Sequence, residues 1–142
     1  MSDSIQAIRD DFALLDDWED RYRYVIDLGA ALPPFPDASR IDTYKVPGCV
    51  SQVWLTTKVG NGSDPAIEFH GDSDAHIVRG LVAIMLALFS GRKASQIVAT
   101  DAEGLLKELG LDEHLSPQRA NGLRSMVKRI KRDAEAALKQ TA

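Results

Sequence analysis

The residue of this chain best suited to chemistry is Cys49, the single cysteine among 142 residues. It follows Pro47 and Gly48, which favour a tight bend because proline fixes φ and glycine tolerates positive φ. From Val50 onward apolar and polar residues alternate, which is typical of a strand. Cys49 is therefore predicted at a bend before a sheet, where a loop can carry a reactive thiolate to a partner. A lone cysteine is also often a small buried hydrophobe, and spacing alone leaves both interpretations open.

Other residue types that do chemistry form no recognisable set. The three histidines, His70, His76 and His114, together with one cysteine match no zinc-binding spacing. The sequence has no glycine-rich phosphate loop, no nucleophile elbow and no recognisable motif for an organic cofactor. Any reaction must therefore run on Cys49 or be supplied by a partner.

The segment Gly71-Asp72-Ser73-Asp74 has two interpretations. An Asp-x-Asp pair is a weak signal for a divalent cation, which normally needs further ligands. Ser73 or Asp74 as the N-cap of a helix beginning near Ala75 is the better prediction.

Composition indicates a single globular domain spanning residues 1–142. Apolar residues make up 44% of the chain and charged residues 27%, which is ordinary for such a domain. The net charge of −4 argues against general binding to nucleic acid. One cysteine cannot form an internal disulfide, no signal peptide pattern begins the chain, and the longest apolar run, 81–89, is too short for a membrane span. We expect a cytoplasmic protein without membrane contact.

Hydrophobic periodicity predicts helices around a small antiparallel sheet. A first helix carries Ile5, Ile8, Phe12 and Leu15 on one face. A second, from about Asp17 to Leu32, turns Trp18, Tyr22, Val25, Ile26 and Gly29 toward the core. A loop follows over 35–42. Strands are then predicted at 44–46, 50–59 and 66–70, the last two joined by a turn over 60–65.

The second half of the chain is predicted to be helical. The segment 75–90 is apolar nearly all round, so it should be a central buried helix, ended by Gly91. Short helices follow at 95–99 and 102–109, and a connector at 111–115. Ser116 and Pro117 open a final long helix.

Charge is distributed unevenly along the predicted helices. The first two carry Asp10, Asp11, Asp16, Asp17, Glu19 and Asp20, which we interpret as a solvated acidic surface. The last helix carries seven basic and two acidic residues between Arg119 and Lys139. These basic residues favour either a solvated helix end that suits the helix dipole or a docking surface for an acidic partner, and sequence does not separate the two.

Several ordered motifs resemble the SufE family of sulfur acceptors, over nearly the whole chain. The most specific is Gly-Cys-Val-Ser-Gln-Val-Trp at 48–54. The others are Trp-Glu-Asp-Arg-Tyr at 18–22 leading to Ile-Asp-Leu-Gly at 26–29, Gly-Asp-Ser-Asp-Ala at 71–75 with Ile-Val-Arg-Gly-Leu at 77–81, and Leu-Ser-Pro-Gln-Arg at 115–119 with Gly-Leu at 122–123.

The resemblance implies an α+β fold, with a small three-stranded antiparallel sheet packed against helices. It also implies that Cys49 accepts persulfide sulfur from a SufS-like cysteine desulfurase, stimulates that enzyme, and passes the sulfur to a SufBCD-like iron–sulfur scaffold. The pyridoxal phosphate of this chemistry belongs to the desulfurase, so no cofactor or metal is expected on this chain. Gly48, Asp74 and Arg119 are the residues expected to bind the partner or to hold the Cys49 loop.

Two alternatives remain open at this point. The chain could be an interaction protein that activates a partner without carrying sulfur, or the paralogous acceptor of another cysteine desulfurase. An independent thiol enzyme is less favoured, because no histidine base lies near Cys49 in the sequence. We also expect the apolar residues Val46, Val50, Val53 and Trp54, with the helix from Ile77, to shield Cys49 until it swings out on a Gly48 hinge.

Overall fold

The computed structural model describes residues 4–48 and 51–140 of the chain, with the side chains of Ser4 and Gln140 left aside. Cys49 and Val50 lie outside the described residues, whereas both of their flanks, Gly48 and Ser51, lie within them.

The described chain is a mixed α and β structure whose elements follow the predicted order. The helices are α1 (Ser4–Leu14), α2 (Trp18–Ala30), α3 (His76–Phe89), α4 (Ala94–Ala99), α5 (Ala102–Glu108), α6 (Leu111–His114) and α7 (Pro117–Gln140). The strands are β1 (Val53–Val59), β2 (Ala66–Ser73) and β3 (Arg92–Lys93). They form an antiparallel sheet in the order β1-β2-β3.

The sheet register puts one apolar face against the helices. Val53 pairs with Ser73, Thr57 with Phe69 and Val59 with Ile67. Opposite residues share a face of a sheet, so the side chains of these pairs point to the same side. Val53, Ile67 and Phe69 on that side are almost fully buried. The predicted hairpin is confirmed, and burial alternates along the first part of β2, whereas β1 begins with three consecutive buried residues.

Helix α3 is the centre of the helical layer. Nine of its residues are buried, including Leu81, Val82, Ile84 and Met85. It packs against α2 at two glycines: a Cβ on Gly80 would lie 2.1 Å from the Val25 carbonyl oxygen, and one on Gly29 would lie 2.6 Å from Gly80 N. The two helices can approach this closely only because neither glycine carries a side chain.

Three local predictions were wrong. The third strand is β3, whereas the predicted strand 44–46 contains Tyr44, the last residue of a short 3-10 helix (Asp42–Tyr44), and Lys45 in an isolated bridge to Trp54. The predicted loop 35–42 is a loop with one 3-10 turn, Asp37–Ser39. The predicted connector 111–115 holds the short helix α6. Ile26 is exposed, because it lies off the face of α2 that carries the buried Val25 and Gly29.

Candidate functional site

The site begins with a closed stem below the loop that carries Cys49. The Val46 amide donates a hydrogen bond of 2.8 Å to the Val53 carbonyl oxygen, and Lys45 bridges Trp54. Val46 and Val53 are buried, with 1% and 0% of their surface exposed. The two flanks of Cys49 and Val50, residues 47–48 and 51–52, therefore stand on a base that is fixed.

The entry arm of the loop rests on α7. Gly48 has φ of +87°, a left-handed conformation that costs a residue with a Cβ about 1–2 kcal/mol. A Cβ at this position would also lie 2.6 Å from Ser125 Oγ. Position 48 favours glycine chiefly because of its backbone conformation, since the Ser125 hydroxyl that a Cβ would meet can rotate away.

The exit arm is held by the end of β2. The buried Ser73 donates its hydroxyl hydrogen to the Gln52 carbonyl oxygen at 2.8 Å. The Gln52 amide donates to Asp74 Oδ1 at 3.0 Å, and the Asp74 amide donates back to the Gln52 carbonyl oxygen at 3.3 Å. Both backbone groups of Gln52 are therefore satisfied by two consecutive residues, which we call the Ser73–Asp74 clamp.

This clamp corrects the prediction that Ser73 or Asp74 caps the following helix. Helix α3 begins at His76, and its N-cap residue is Ala75, which makes no side-chain cap. The Asp74 carboxylate instead accepts a hydrogen bond from the Gln52 amide, 22 residues away in the sequence. Ser73 contributes to the turn only by accepting a 3.3 Å hydrogen bond from the Ala75 amide.

Ser51 opens onto a small cavity between α3 and α7. The cavity holds about 20 Å³ and is lined by Ser51, Val78, Leu81, Gln118, Arg119, Gly122 and Met126. Val78, Leu81 and Met126 are buried apolar walls, whereas Gln118 and Arg119 are exposed at the first turn of α7. A space of this size holds about one water molecule or one atom of similar size.

The structure brings three predicted site residues to the loop. Gly48 forms its entry arm, Asp74 holds its exit arm, and Arg119 lines the cavity beside Ser51. Ser116 caps α7 as predicted, accepting a 3.3 Å hydrogen bond from the Arg119 amide. Cys49 itself lies outside the described residues, so the prediction that it is shielded stays a prediction.

Sequence reasoning missed a buried ion-pair cluster next to the clamp. Asp72, with 6% of its surface exposed, accepts hydrogen bonds of 3.1 and 2.7 Å from Arg40. Arg79 Nε lies 2.8 Å from the other Asp72 oxygen, at ion-pair distance, and its Nη2 donates to the Ser73 carbonyl oxygen at 3.1 Å. Arg40 and Arg79 are far apart in the sequence, and no local motif links them.

Burial alone would raise the pKa of Asp72, because it disfavours the charged carboxylate. The Arg40 hydrogen bond, the hydrogen bond from the Ser73 amide and the charges of Arg79 and Arg40 outweigh burial. The pKa of Asp72 therefore lies below its ordinary value. The hydrogen bond to Asp72, with the charges of Asp72 and Asp37, raises the pKa of Arg40.

Two of the three histidines make contacts away from the loop. The His114 ring stacks on Trp18 with centroids 3.9 Å apart, and His70 lies 3.5 Å from Glu68. Within residues 4–48 and 51–140, no group of three or more His, Cys, Asp or Glu side chains is arranged to hold a metal ion. No helix in the same part of the chain is both long and apolar enough to cross a membrane.

Comparison with known proteins identifies the family. The family model described as "SufE: Fe-S metabolism associated domain" matches residues 6–134. An uncharacterized SufE-like protein of Rhizobium meliloti (strain 1021) is 60% identical over 136 residues, covering 95% of this chain and 97% of that protein. Another, from Rhizobium etli, is 59% identical over 133 residues, covering 93% of this chain and 90% of that protein. This chain belongs to the SufE family.

A solved structure supports the fold. The solution structure of a hypothetical protein from Thermus thermophilus superposes with a TM-score of 0.73, over 96% of this chain and 97% of that one. Sequence identity is 17%, so the similarity concerns the fold alone. The α+β fold with a three-stranded antiparallel sheet is confirmed, and the family places the chain in iron–sulfur metabolism.

Proposed function

We propose that this chain is a sulfur carrier in iron–sulfur metabolism, with Cys49 as its persulfide acceptor. Family membership supplies the context of iron–sulfur metabolism. The observation that carries the proposal is the architecture around residue 49: the single cysteine of the chain belongs to a short loop whose two arms are separately anchored.

The proposed reaction is thiol exchange on a donor persulfide. The Cys49 thiolate attacks the outer sulfur of a cysteine persulfide on a desulfurase. A new S–S bond forms to Cys49 Sγ, the donor S–S bond breaks, and the donor cysteine leaves as a thiolate. The exchange needs no external oxidant or reductant, and Cys49 ends as a persulfide. The pyridoxal phosphate that releases sulfur from free cysteine belongs to the desulfurase.

A single cysteine is sufficient for carrying sulfur but not for holding an iron–sulfur cluster. Exchange needs one attacking sulfur on the acceptor, because the leaving thiolate belongs to the donor. A cluster scaffold would need about three or four ligands, usually thiolates, which this chain lacks. The carried sulfur is therefore passed on, and we propose that the recipient is an iron–sulfur scaffold complex.

The flanks of residue 49 suit transfer between two proteins. Pro47, Gly48 and Gln52 are exposed, so a docking protein can reach the loop. The stem beneath them is buried and hydrogen-bonded. Exposed flanks that are already anchored reduce the entropic cost of entering a partner site, because their own backbone is ordered before docking.

We further propose that the persulfide is sheltered between visits, because exposed persulfides are lost to small thiols or oxidised. The cavity of about 20 Å³ beside Ser51 is bounded by apolar walls suited to this shelter. Alkylation of Cys49 in the free protein should then be slower than that of an unstructured cysteine peptide. An equal rate would contradict the shelter while leaving the carrier role intact.

The carrier role is tested by Cys49→Ser with a purified cysteine desulfurase. The variant should still bind the enzyme but lose stimulation of cysteine turnover. Ser95→Ala, at the opposite end of the sheet beside Asp64, serves as the control and should stimulate normally. If Cys49→Ser keeps full stimulation, the chain activates its partner without carrying sulfur. Parallel assays with desulfurases from inside and outside the scaffold operon identify the cognate donor.

A further inference from the structure

Helix α7 carries cations that no internal ion pair uses within the described part of the chain. Three of its seven basic residues are engaged within the fold: Arg124 pairs with Glu103 at 2.7 Å, Arg129 with Asp133 at 3.2 Å, and Lys131 donates to the Thr100 carbonyl oxygen at 2.6 Å. Among the described residues of the helix, Arg119, Lys128 and Lys139 are exposed and form no ion pair. Arg132, whose side chain is 71% exposed, forms a long ion pair of 3.8 Å with its neighbour Asp133.

Three of these exposed residues flank the Cys49 loop on both of its arms. Lys128 and Arg132 follow Ser125 by three and seven residues, so they share the helix face on which Gly48 rests. They lie about 4.5 and about 10.5 Å along the axis from Ser125 at a rise of about 1.5 Å per residue. Arg119 lies beside the exit arm, in the wall of the cavity that Ser51 opens onto. We call Arg119, Lys128 and Arg132 the cationic edge.

Two of the carboxylates that border this edge are already engaged, whereas the exposed Glu135, three residues after Arg132, places one negative charge on the same helix face. Asp133 accepts from Thr57 at 2.8 Å and from Arg129 at 3.2 Å. Asp74 accepts from the Gln52 amide. A local positive surface therefore stands beside the loop of a chain whose net charge is −4. The three cations of the edge are exposed to solvent, where they act on partners through long-range attraction.

We infer that the cationic edge is an electrostatic docking surface for an acidic rim around the donor persulfide on the desulfurase. This inference rests on the proposed function. Complementary charge at an interface rim mainly speeds association and fixes register, and it contributes less to final affinity. The overall negative charge of the chain would repel an acidic partner approaching from other directions, so this edge also orients the encounter.

The test compares two double charge reversals in the full chain. Lys128→Glu with Arg132→Glu removes most of the edge. Lys58→Glu with Lys93→Glu changes the net charge equally at sites far from the loop. Lys58 is about 17 Å along β1 from Val53, and Lys93 pairs with Ala66, about 23 Å along β2 from Ser73, by the rise per residue of strands. All four lysine and arginine side chains are exposed.

Association with a purified cysteine desulfurase is followed by stopped-flow fluorescence at about 50 mM and about 500 mM salt. We expect the edge variant to associate about tenfold or more slowly at low salt, and the difference to shrink at high salt. The association rate of the distant variant should decrease much less. A conservative pair, Lys128→Arg with Arg132→Lys, should restore the wild-type rate, and unchanged circular dichroism spectra and thermal midpoints exclude misfolding.

Equal slowing by both reversals, or no slowing by either, would overturn the inference. So would tight binding of the wild-type chain to a short RNA or to anionic vesicles that is lost in the edge variant while desulfurase association is unchanged. Persulfide formation on Cys49 at saturating desulfurase is measured in the same samples. If Cys49 gains sulfur but the edge variant associates normally, only the docking inference fails. If Cys49 never gains sulfur, the proposed function fails.

Discussion

Removal of the Ser73 hydroxyl should release the exit arm of the loop while leaving the fold intact. Ser73→Ala deletes the 2.8 Å hydrogen bond to the Gln52 carbonyl oxygen and the acceptor of the Ala75 amide. Only 1% of the Ser73 surface is exposed, so water cannot replace the lost contact directly. A buried hydrogen bond with one partner removed costs about 1–2 kcal/mol.

This loss of free energy should mainly favour local opening of the loop rather than global unfolding. The Gln52 carbonyl oxygen keeps the weaker 3.3 Å bond from the Asp74 amide, which limits the loss. Since about 1.4 kcal/mol is a factor of ten in population, the opened state should increase about fivefold to thirtyfold. Hydrogen exchange of the Gln52 amide, read by NMR, reports this opening, because that amide is protected by Asp74 in the closed state.

Ser90→Ala is the matched control. Ser90 Oγ accepts from the Phe69 amide at 2.9 Å and donates to the Phe69 carbonyl oxygen at 3.3 Å, so it makes the same kind of paired contact nearer the other end of β2. It should lower global stability by a similar amount without changing exchange at Gln52 relative to the remaining amides. If the Ser73 variant accelerates all amides uniformly, the clamp does not act locally and the reasoning is refuted.

Three further predictions concern single residues. Gly80→Ala places a Cβ 2.1 Å from the Val25 carbonyl oxygen and should lower the free energy of unfolding by about 3 kcal/mol or more in urea titration; a loss below about 1 kcal/mol would mean that α2 and α3 separate easily. Gly48→Ala should slow sulfur transfer with a stability loss of about 1–2 kcal/mol. Adding Ser125→Gly should recover only part of the transfer rate, since the backbone strain at residue 48 remains; full recovery would assign the whole effect to the α7 contact. The pKa of Asp72 in the folded protein is depressed, so its contribution to stability is present above the unfolded pKa of about 3.9 and is lost as pH falls through the folded value. Asp72→Asn should be less stable than the wild type at pH 7 by about 2–3 kcal/mol, and its free energy of unfolding should fall less steeply as the pH is lowered. Parallel curves of unfolding free energy against pH for the two proteins would contradict this assignment.

The elements with strong local signals were predictable from sequence. The apolar helix over 75–90, the Ser116-Pro117 start of α7 and the hairpin at 53–73 each follow from periodicity or cap chemistry that a few neighbouring residues determine. The two-residue strand β3 was not predictable. It is too short for any alternation, and it pairs with β2 because Gly91, with φ of +83°, turns the chain back and its amide reaches the Ile67 carbonyl oxygen.

In the candidate site, too, features with a local sequence signal were predictable and features that depend on distant partners were not. The bend at Pro47-Gly48 was predicted from residue types, and Gly48 does adopt a positive φ. The role of Asp74 was not separable from capping, since aspartate before a helix favours both and the deciding partner, Gln52, lies 22 residues away. The Arg40–Asp72–Arg79 cluster depends on tertiary proximity between three segments, for which the sequence offers no spacing rule.

The most direct test of the account is mass spectrometry of the intact chain after incubation with a cysteine desulfurase and free cysteine, followed by peptide mapping. The account predicts a gain of one sulfur atom, located on Cys49 and removed by a reducing thiol. Turnover of the desulfurase in the presence of this chain without any sulfur on Cys49 would contradict it.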